Sequence, residues 1–158
     1  YIKEQPALRS VSTVKNLYEL LEEAMYNDLQ GLGVDVAELK LKANTAIAFM
    51  DNFLVIDRSR CKTTAKERTV LAHEAGHYLS GAFYLAYSPY EIKEQAENRA
   101  FAASVEKYLP VSELRQAMAR GFTEPWQLAE YFSFDEDYIK KALHYWTECR
   151  GVDFNQTI

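Results

Sequence analysis

Two histidines four residues apart constrain this chain more than any other feature of its sequence. They stand in the pentapeptide His73-Glu74-Ala75-Gly76-His77. A helix places residues i and i+4 one above the other on the same face, so two imidazoles in this arrangement can bind one metal ion at neighbouring corners of a tetrahedron. Glu74 then lies beside the metal, where a carboxylate can take a proton from water. The pattern predicts a helix that carries a hydrolytic metal site.

The residues that flank the pentapeptide have the pattern of a helix. Thr64-Ala65-Lys66-Glu67 has the form of a capping box, in which the two end residues bond reciprocally to backbone amides of the first turn. Apolar residues continue the pattern, and Gly81 is a suitable C-terminal stop. We therefore predict a helix over about residues 65 to 80.

A catalytic zinc usually has three protein ligands, so a third ligand is expected on another element. The stretch from Ser88 to Leu109 has the composition of a second helix, with Ser88 as the predicted N-cap and a proline in the first turn. Its acidic residues Glu91, Glu94 and Glu97 are the candidates for the third ligand.

Glu97 has the most favourable position of the three acidic residues. At about 100° per residue, Glu97 falls near the middle of an apolar arc, Glu94 at its edge and Glu91 outside it. The arc consists of Ile92, Ala96, Ala100, Phe101, Ala103, Val105 and Tyr108. A carboxylate on a buried helix face is costly unless it binds a metal or pairs with a cation. The alternative is a salt bridge from Glu97 to Lys93 or Arg99.

The second predicted helix also carries a pattern of small residues and a proline stop. Glu97-Asn98-Arg99-Ala100, Ala102-Ala103 and Leu109-Pro110 follow the helical His-Glu-x-x-His in that order. With these motifs in this order, the chain resembles the ImmA/IrrE family of bacterial and phage metallopeptidases. The resemblance covers about residues 45 to 147. An alternative alignment of the chain with the family pattern would make Glu94 the third ligand. In that alignment the spacing to Pro110 no longer matches the family.

The resemblance implies a zinc cofactor, a zinc-dependent endopeptidase activity and a role for each site residue. It makes His73, His77 and Glu97 the zinc ligands and Glu74 the catalytic base. Family members are similar to antirepressors that cleave a specific helix-turn-helix repressor of a phage, a mobile element or a stress regulon. The resemblance therefore implies a protein substrate, most simply such a repressor.

Two stretches depart from the residues that the family usually has. They are Ala75 within the motif and residues 104–108 in the second helix. The ligands are kept, so the departures affect the packing around them. Two alternatives stay open: a metal-stabilised antirepressor that binds and sequesters a repressor without cutting it, and a DNA-binding regulator.

The chain offers several groups that can assist the chemistry. A donor to the developing oxyanion is expected, and Tyr78, Tyr84, Tyr87 and Tyr90 are candidates. Because the chain contains 11 tyrosines, the sequence does not choose among them. His144 is the third histidine of the chain, and its place near the end of a predicted helix favours a surface or capping role.

The segment before the motif predicts one helix and a small sheet. Residues 14 to 29 have an apolar face built from leucines and a methionine. Residues 45–50 and 53–57 have the pattern of two strands joined at Asp51-Asn52. An exposed strand beside a metal-binding helix can pair with an extended substrate, although the sequence does not tell which edge would do so.

The segment after Pro110 predicts three helices, over about residues 111–120, 124–132 and 135–148. The last two, with the short turn between them, resemble a helix-turn-helix. The would-be recognition helix begins Asp135-Glu136-Asp137, which would face phosphates with like charge. Docking of a protein partner, or completion of the core, is therefore the expected role.

Composition excludes several classes of protein. The net charge of the 158 residues is −5, and no basic cluster is longer than Lys140-Lys141, so direct binding to nucleic acid is not expected. No apolar run approaches the roughly 20 residues of a membrane span. Cys61 and Cys149 have no paired spacing, which indicates reduced thiols and a cytoplasmic location.

These observations together predict an α+β fold. Residues 1–110 are expected to form a zincin-like core, in which a metal-binding helix pair packs against a small β-sheet. Residues 111–150 are expected to form a helical, helix-turn-helix-like subdomain, and residues 151–158 a flexible tail.

Overall fold

The expected α+β fold is present in residues 17–155, which are the residues that the computed structural model describes. That range contains six α-helices and one three-stranded sheet, against which α1 and α2 pack. The helices are α1 (Leu17–Gly31), α2 (Thr64–Ser80), α3 (Tyr90–Tyr108), α4 (Val111–Ala119), α5 (Pro125–Phe132) and α6 (Glu136–His144). The strands are β1 (Asp35–Glu38), β2 (Ala46–Phe49) and β3 (Phe53–Ile56). Among these helices, none has the length and apolarity needed to cross a bilayer.

The sheet has the order β1-β3-β2, with β1 parallel and β2 antiparallel to the central strand β3. The predicted hairpin of β2 and β3 is confirmed, and Asn52 takes the left-handed conformation at its turn, with φ 61°. Strand β1 was not predicted, because four residues of which two are acidic lack a clear strand pattern. β1 forms because β3 offers it a partner along its whole length.

The helix that carries the motif begins close to the predicted position, but its cap differs. The N-cap is Thr63, whose side chain accepts a hydrogen bond from the Lys66 amide at 3.1 Å. The predicted capping box is wrong in register, because the Glu67 side chain is buried and bonds to Arg58 at 2.8 Å. Gly81 ends the helix in the left-handed conformation, as predicted.

Helix α3 begins at Tyr90, and Ser88 is not its N-cap. The Ser88 hydroxyl instead accepts a hydrogen bond from the Leu85 amide at 3.0 Å, within the loop between α2 and α3. Further along, α3 touches the backbone of α2 at Gly76. A Cβ atom on Gly76 would lie 2.0 Å from the Ala100 carbonyl oxygen. Only glycine allows this approach.

Helix α1 buries only part of the face that the leucine and methionine pattern predicted. Met25 and Leu29 are buried, whereas Leu20 is half exposed. The predicted start of this helix, at residues 14–16, lies outside the described residues, as does the side chain of Leu17. The buried face is therefore the later part of the predicted one.

A single hydrophobic core joins α1 to the turn that follows α6. It includes the fully buried side chains of Met25, Leu54, Leu71, Leu114 and Ile139. The predicted division of the chain at residue 110 stays a prediction. Within the predicted tail, Val152 and Phe154 pack partly against this core, and residues 156–158 lie outside the described part.

Arg68 connects the motif helix to the C-terminal helices. Its guanidinium donates to the carbonyl of Ser133 at 3.1 Å and to that of Leu21 at 2.6 Å, and it lies 4.7 Å from the Phe134 ring centroid. These contacts fasten the turn between α5 and α6 to the side of α2. Arg68 thereby brings α6 next to the motif.

The start and the end of α6 differ from the predicted helix. Asp135 is the N-cap, but its side chain pairs with Lys66 at 3.3 Å and makes no cap hydrogen bond. The α-helix ends at His144, and one π-helical turn, Tyr145–Cys149, completes the predicted stretch.

The contact at Gly76 predicts a severe effect of one added methyl group. We expect Gly76→Ala to lower the free energy of unfolding by about 1–3 kcal/mol, because the methyl group must push α3 away from α2. Gly31→Ala is the matched control, since a Cβ atom there meets nothing within 4 Å. Urea denaturation followed by circular dichroism measures both, and equal midpoints for the two variants would contradict the packing.

Candidate metal centre

Three of the predicted site residues converge on one point between α2 and α3. His73 Nε2 lies 2.9 Å from Glu97 Oε2, and His77 Nε2 lies 3.5 Å from Glu97 Oε1. All three ligand atoms are within 4.8 Å of one another. Ligands of a tetrahedral zinc ion with bonds of about 2.0–2.1 Å are about 3.3 Å apart. The three side chains can therefore hold one metal ion.

The two helices supply the ligands from opposite sides. His73 and His77 stand one turn apart on α2, with ring centroids 5.1 Å apart and ring planes at 86°. Glu97 reaches them from α3. Glu91 and Glu94, the other two candidates, are exposed and do not belong to this group.

The prediction that Glu97 lies near the middle of a buried apolar face is only partly correct. Its side chain keeps 36% of its surface exposed, so Glu97 lies at the rim of the buried face and not at its centre. Ile92, counted in the predicted arc, is half exposed, and Ser104 is fully buried. The alternative salt bridge to Lys93 is absent, because the Lys93 ammonium donates to the Ala86 carbonyl at 2.6 Å.

The hydrogen bond on the far side of His77 makes the group suitable for a cation. Nδ1 of His77 lies 2.7 Å from the Ala82 carbonyl oxygen, so Nδ1 carries the proton. In the neutral ring, Nε2 then presents a lone pair to Glu97 Oε1. A bond from Nδ1 to a backbone carbonyl is the arrangement that orients a metal-binding histidine and leaves its Nε2 free as a ligand. The donor set therefore fits a metal ion.

The charges of the group keep the Glu97 carboxylate ionised. The hydrogen bond from His73 holds the pKa of Glu97 down to about 2, against the opposing effect of burial, and Tyr84 contributes a second hydrogen bond at 2.6 Å. Burial disfavours the charged form of His73, but its bond to Glu97 and the nearby charge of Glu74 outweigh burial and raise the pKa of His73. Glu97 is thus deprotonated, as a carboxylate must be to bind a metal ion.

Glu74 lies next to the ligand group without belonging to it. Its side chain lines the cleft on both sides of His73. Burial raises the pKa of Glu74, and the two histidines partly oppose this rise. A carboxyl group with a raised pKa is suited to exchange a proton with a bound molecule near neutral pH.

The four candidate tyrosines have different roles. Tyr78 accepts a hydrogen bond from the Phe49 amide at 3.1 Å and donates to the Phe53 carbonyl at 2.7 Å, so it fastens the hairpin to α2. Tyr87 and Tyr90 are 85% and 72% exposed. Tyr84 alone among the four contacts the ligand group, and it orients the carboxylate of Glu97.

His144 is exposed near the end of α6, as expected, but it also lines a groove that begins at the ligand group. This groove and the roles of Tyr84 and Ala82 at the ligand group were not predicted from the sequence. No spacing pattern in the sequence predicts them, because each contact joins residues of different elements or of an irregular loop.

The chain was compared with protein-family models, with curated proteins and with solved structures, and none of them matches. The case for a function depends on the geometry described above.

The convergence of the three side chains predicts which carboxylate matters for metal binding. We expect Glu97→Gln to weaken Zn²⁺ binding by at least about 100-fold, because changing an outer partner of a ligand alone costs about 10–100-fold. Glu94→Gln makes the same chemical change one turn earlier on α3 and should bind Zn²⁺ as the unchanged protein does. Competition with a chromophoric chelator measures the affinities. Loss of binding in the Glu94 variant would contradict the site.

Proposed function

We propose that this protein is a zinc-dependent endopeptidase of the ImmA/IrrE type that cleaves a specific helix-turn-helix repressor. One observation carries the proposal: His73, His77 and Glu97 converge on one point, and Glu74 lies beside them in an open cleft. Two imidazoles and one carboxylate form a donor set typical of catalytic zinc sites. The repressor as substrate is supported by the sequence resemblance alone.

Each residue of the site has a defined task in this reaction. A zinc ion supplies Lewis acidity, which acidifies water and polarises a carbonyl group. Glu74 accepts the proton of the attacking water and passes it to the leaving amine. Tyr84 holds the carboxylate of Glu97 in place, and Ala82 fixes the ring of His77 through its carbonyl oxygen.

Among residues 17–155, no strand pairs with the outer edge of β2, and this edge is suited to hold an extended substrate. Asp57 donates its backbone N–H to the Thr45 carbonyl at 2.8 Å, which identifies this pair as a hydrogen-bonded pair of the β2–β3 ladder. Such pairs alternate along an antiparallel ladder, so Ala46 and Ala48 direct their N–H and C=O groups away from β3. These groups can pair with a peptide that lies along β2.

The cleft extends to both sides of the ligand group. A cavity of about 390 Å³ lies on one side and a cavity of about 410 Å³ on the other, and His73 and Glu74 line both. Phe83 also lines the first cavity, and Val70 and Phe101 also line the second. This shape supports an endopeptidase, because a substrate can continue in both directions from the cleaved bond.

The position of α6 supports a protein substrate and not a DNA ligand. Its first turn, with Asp135 and Asp137, lines the cleft beside Glu74. A helix that closes a cleft and begins with acidic side chains is poorly placed for a DNA groove. A repressor substrate would place the protein in the cytoplasm, which agrees with the two unpaired thiols, Cys61 and Cys149.

The role of Glu74 can be separated from metal binding. We expect Glu74→Gln to keep its zinc and to lose cleavage, because a neutral amide cannot accept the proton of water. The measurement is coexpression with the repressor encoded beside this protein, with fragments identified by mass spectrometry. Glu94→Gln is the control and should yield the same fragments as the unchanged protein. A stable complex without fragments in every variant would favour sequestration of the repressor.

The role of β2 can be tested at the backbone. We expect Ala48→Pro to slow repressor cleavage at least about fivefold, because it removes one outward N–H group and hence about 1 kcal/mol of hydrogen bonding. Ala48→Ser keeps this N–H group and should cleave at nearly the normal rate. Zinc content and the urea midpoint serve as checks on the fold. Equal cleavage rates for the two variants would contradict a role of β2 in substrate binding.

A further inference from the structure

A groove of about 800 Å³ leads away from the ligand group, between α3 and the end of α6. It begins at His73 and Glu97, and its walls include the aromatic rings of Phe101 and Tyr145. The groove therefore continues the proposed active site and offers apolar surface to whatever lies in it.

The charge of the groove is opposite to that of the chain. Its lining includes Lys140, Lys141 and His144, and its single carboxylate is Glu97, the proposed metal ligand. The whole chain has a net charge of −5. A local basic lining at the mouth of a metal site attracts anionic groups.

The two lysines differ in their availability. Lys140 forms an ion pair with Glu136 at 2.8 Å, one turn earlier on α6. Lys141 has no ion pair within 4 Å among residues 17–155. It also lines both the groove and the smaller cavity that contains Glu74. Lys141 is thus an available cation next to the position of the reacting bond.

The acidic residues that share a cavity with Lys141 are Glu97 in the groove and Glu74, Asp135 and Asp137 in the smaller cavity. Asp135 pairs with Lys66 at 3.3 Å. Asp137 lines the smaller cavity but not the groove. Glu97 is the one carboxylate in the lining of the groove, and neither Glu97 nor the acidic residues of the smaller cavity form an ion pair with Lys141 within 4 Å.

We propose that Lys141 selects substrates that carry an acidic side chain beside the cleaved bond, with the neighbouring apolar residues lying in the groove. The inference rests on the proposed function and names the class of its substrate. An aspartate or glutamate placed there pairs with Lys141, and its apolar neighbours contact Phe101 and Tyr145.

The test uses the zinc-loaded full chain and three peptide hydroxamates, which bind a catalytic zinc without being cleaved. The peptides are identical except for one residue next to the chelating group, which is glutamate, glutamine or lysine. We expect the glutamate peptide to bind about fivefold more tightly than the glutamine peptide, as an exposed ion pair allows. The lysine peptide should bind most weakly. Isothermal titration calorimetry measures the three affinities.

Charge reversal assigns the preference to one residue. Lys141→Glu should invert the order, so that the lysine peptide binds most tightly, and Lys141→Gln should abolish the preference. Lys107→Glu makes the same charge change at an exposed position of α3 outside the groove and should leave the order unchanged.

The outcomes separate this inference from the proposed function. Equal affinities for the three peptides, or a preference that survives Lys141→Glu, overturn the role of Lys141 and leave the peptidase proposal intact. Absence of zinc-dependent hydroxamate binding overturns the peptidase proposal, and the role of Lys141 with it.

Discussion

The contact between the backbones of α2 and α3 at Gly76 is the constraint on which the site depends. The Ala100 carbonyl occupies the space that the side chain of any residue larger than glycine would need at position 76. Gly76 lies inside the motif, between the two histidines. It is also close to Glu97, which lies one turn before Ala100 on α3. The same close approach that packs the two helices therefore brings a carboxylate oxygen within 2.9 Å of an imidazole nitrogen. Ligand geometry here is a consequence of helix packing.

Two further connections turn the helix pair into a cleft. Tyr78, one residue after the second histidine, bonds to the backbone of the β2–β3 hairpin and holds β2 beside α2. Arg68, five residues before the first histidine, bonds to the turn between α5 and α6 and holds α6 at the other end. Helix α2 thus carries two of the three candidate ligands, His73 and His77, and also positions the elements that face them. A rigid support of this kind keeps a site organised before any substrate arrives.

The environments of Glu74 and Glu97 push their pKa values in opposite directions. Hydrogen bonds from His73 and Tyr84 lower the pKa of Glu97 and favour its ionised form, whereas burial raises the pKa of Glu74. Two carboxylates within one cleft are thereby suited to different tasks, one to ligation and the other to proton transfer. The two residues line the same cavity, so the division follows from their partners: Glu97 accepts hydrogen bonds from His73 and Tyr84, whereas burial dominates at Glu74.

The sequence by itself determined the features that depend on local periodicity. These are the α+β class, the helices around the motif, the hairpin at Asn52, and the prediction that the two histidines and Glu97 belong together. Only the tertiary structure decided what depends on contacts between distant segments. Strand β1 forms because β3 offers it a partner, Glu97 lies at a rim because α3 packs through small residues, and Lys141 reaches the cleft because Arg68 holds α6 beside α2. Such contacts join residues far apart in the chain, and no pattern along the chain encodes their distances.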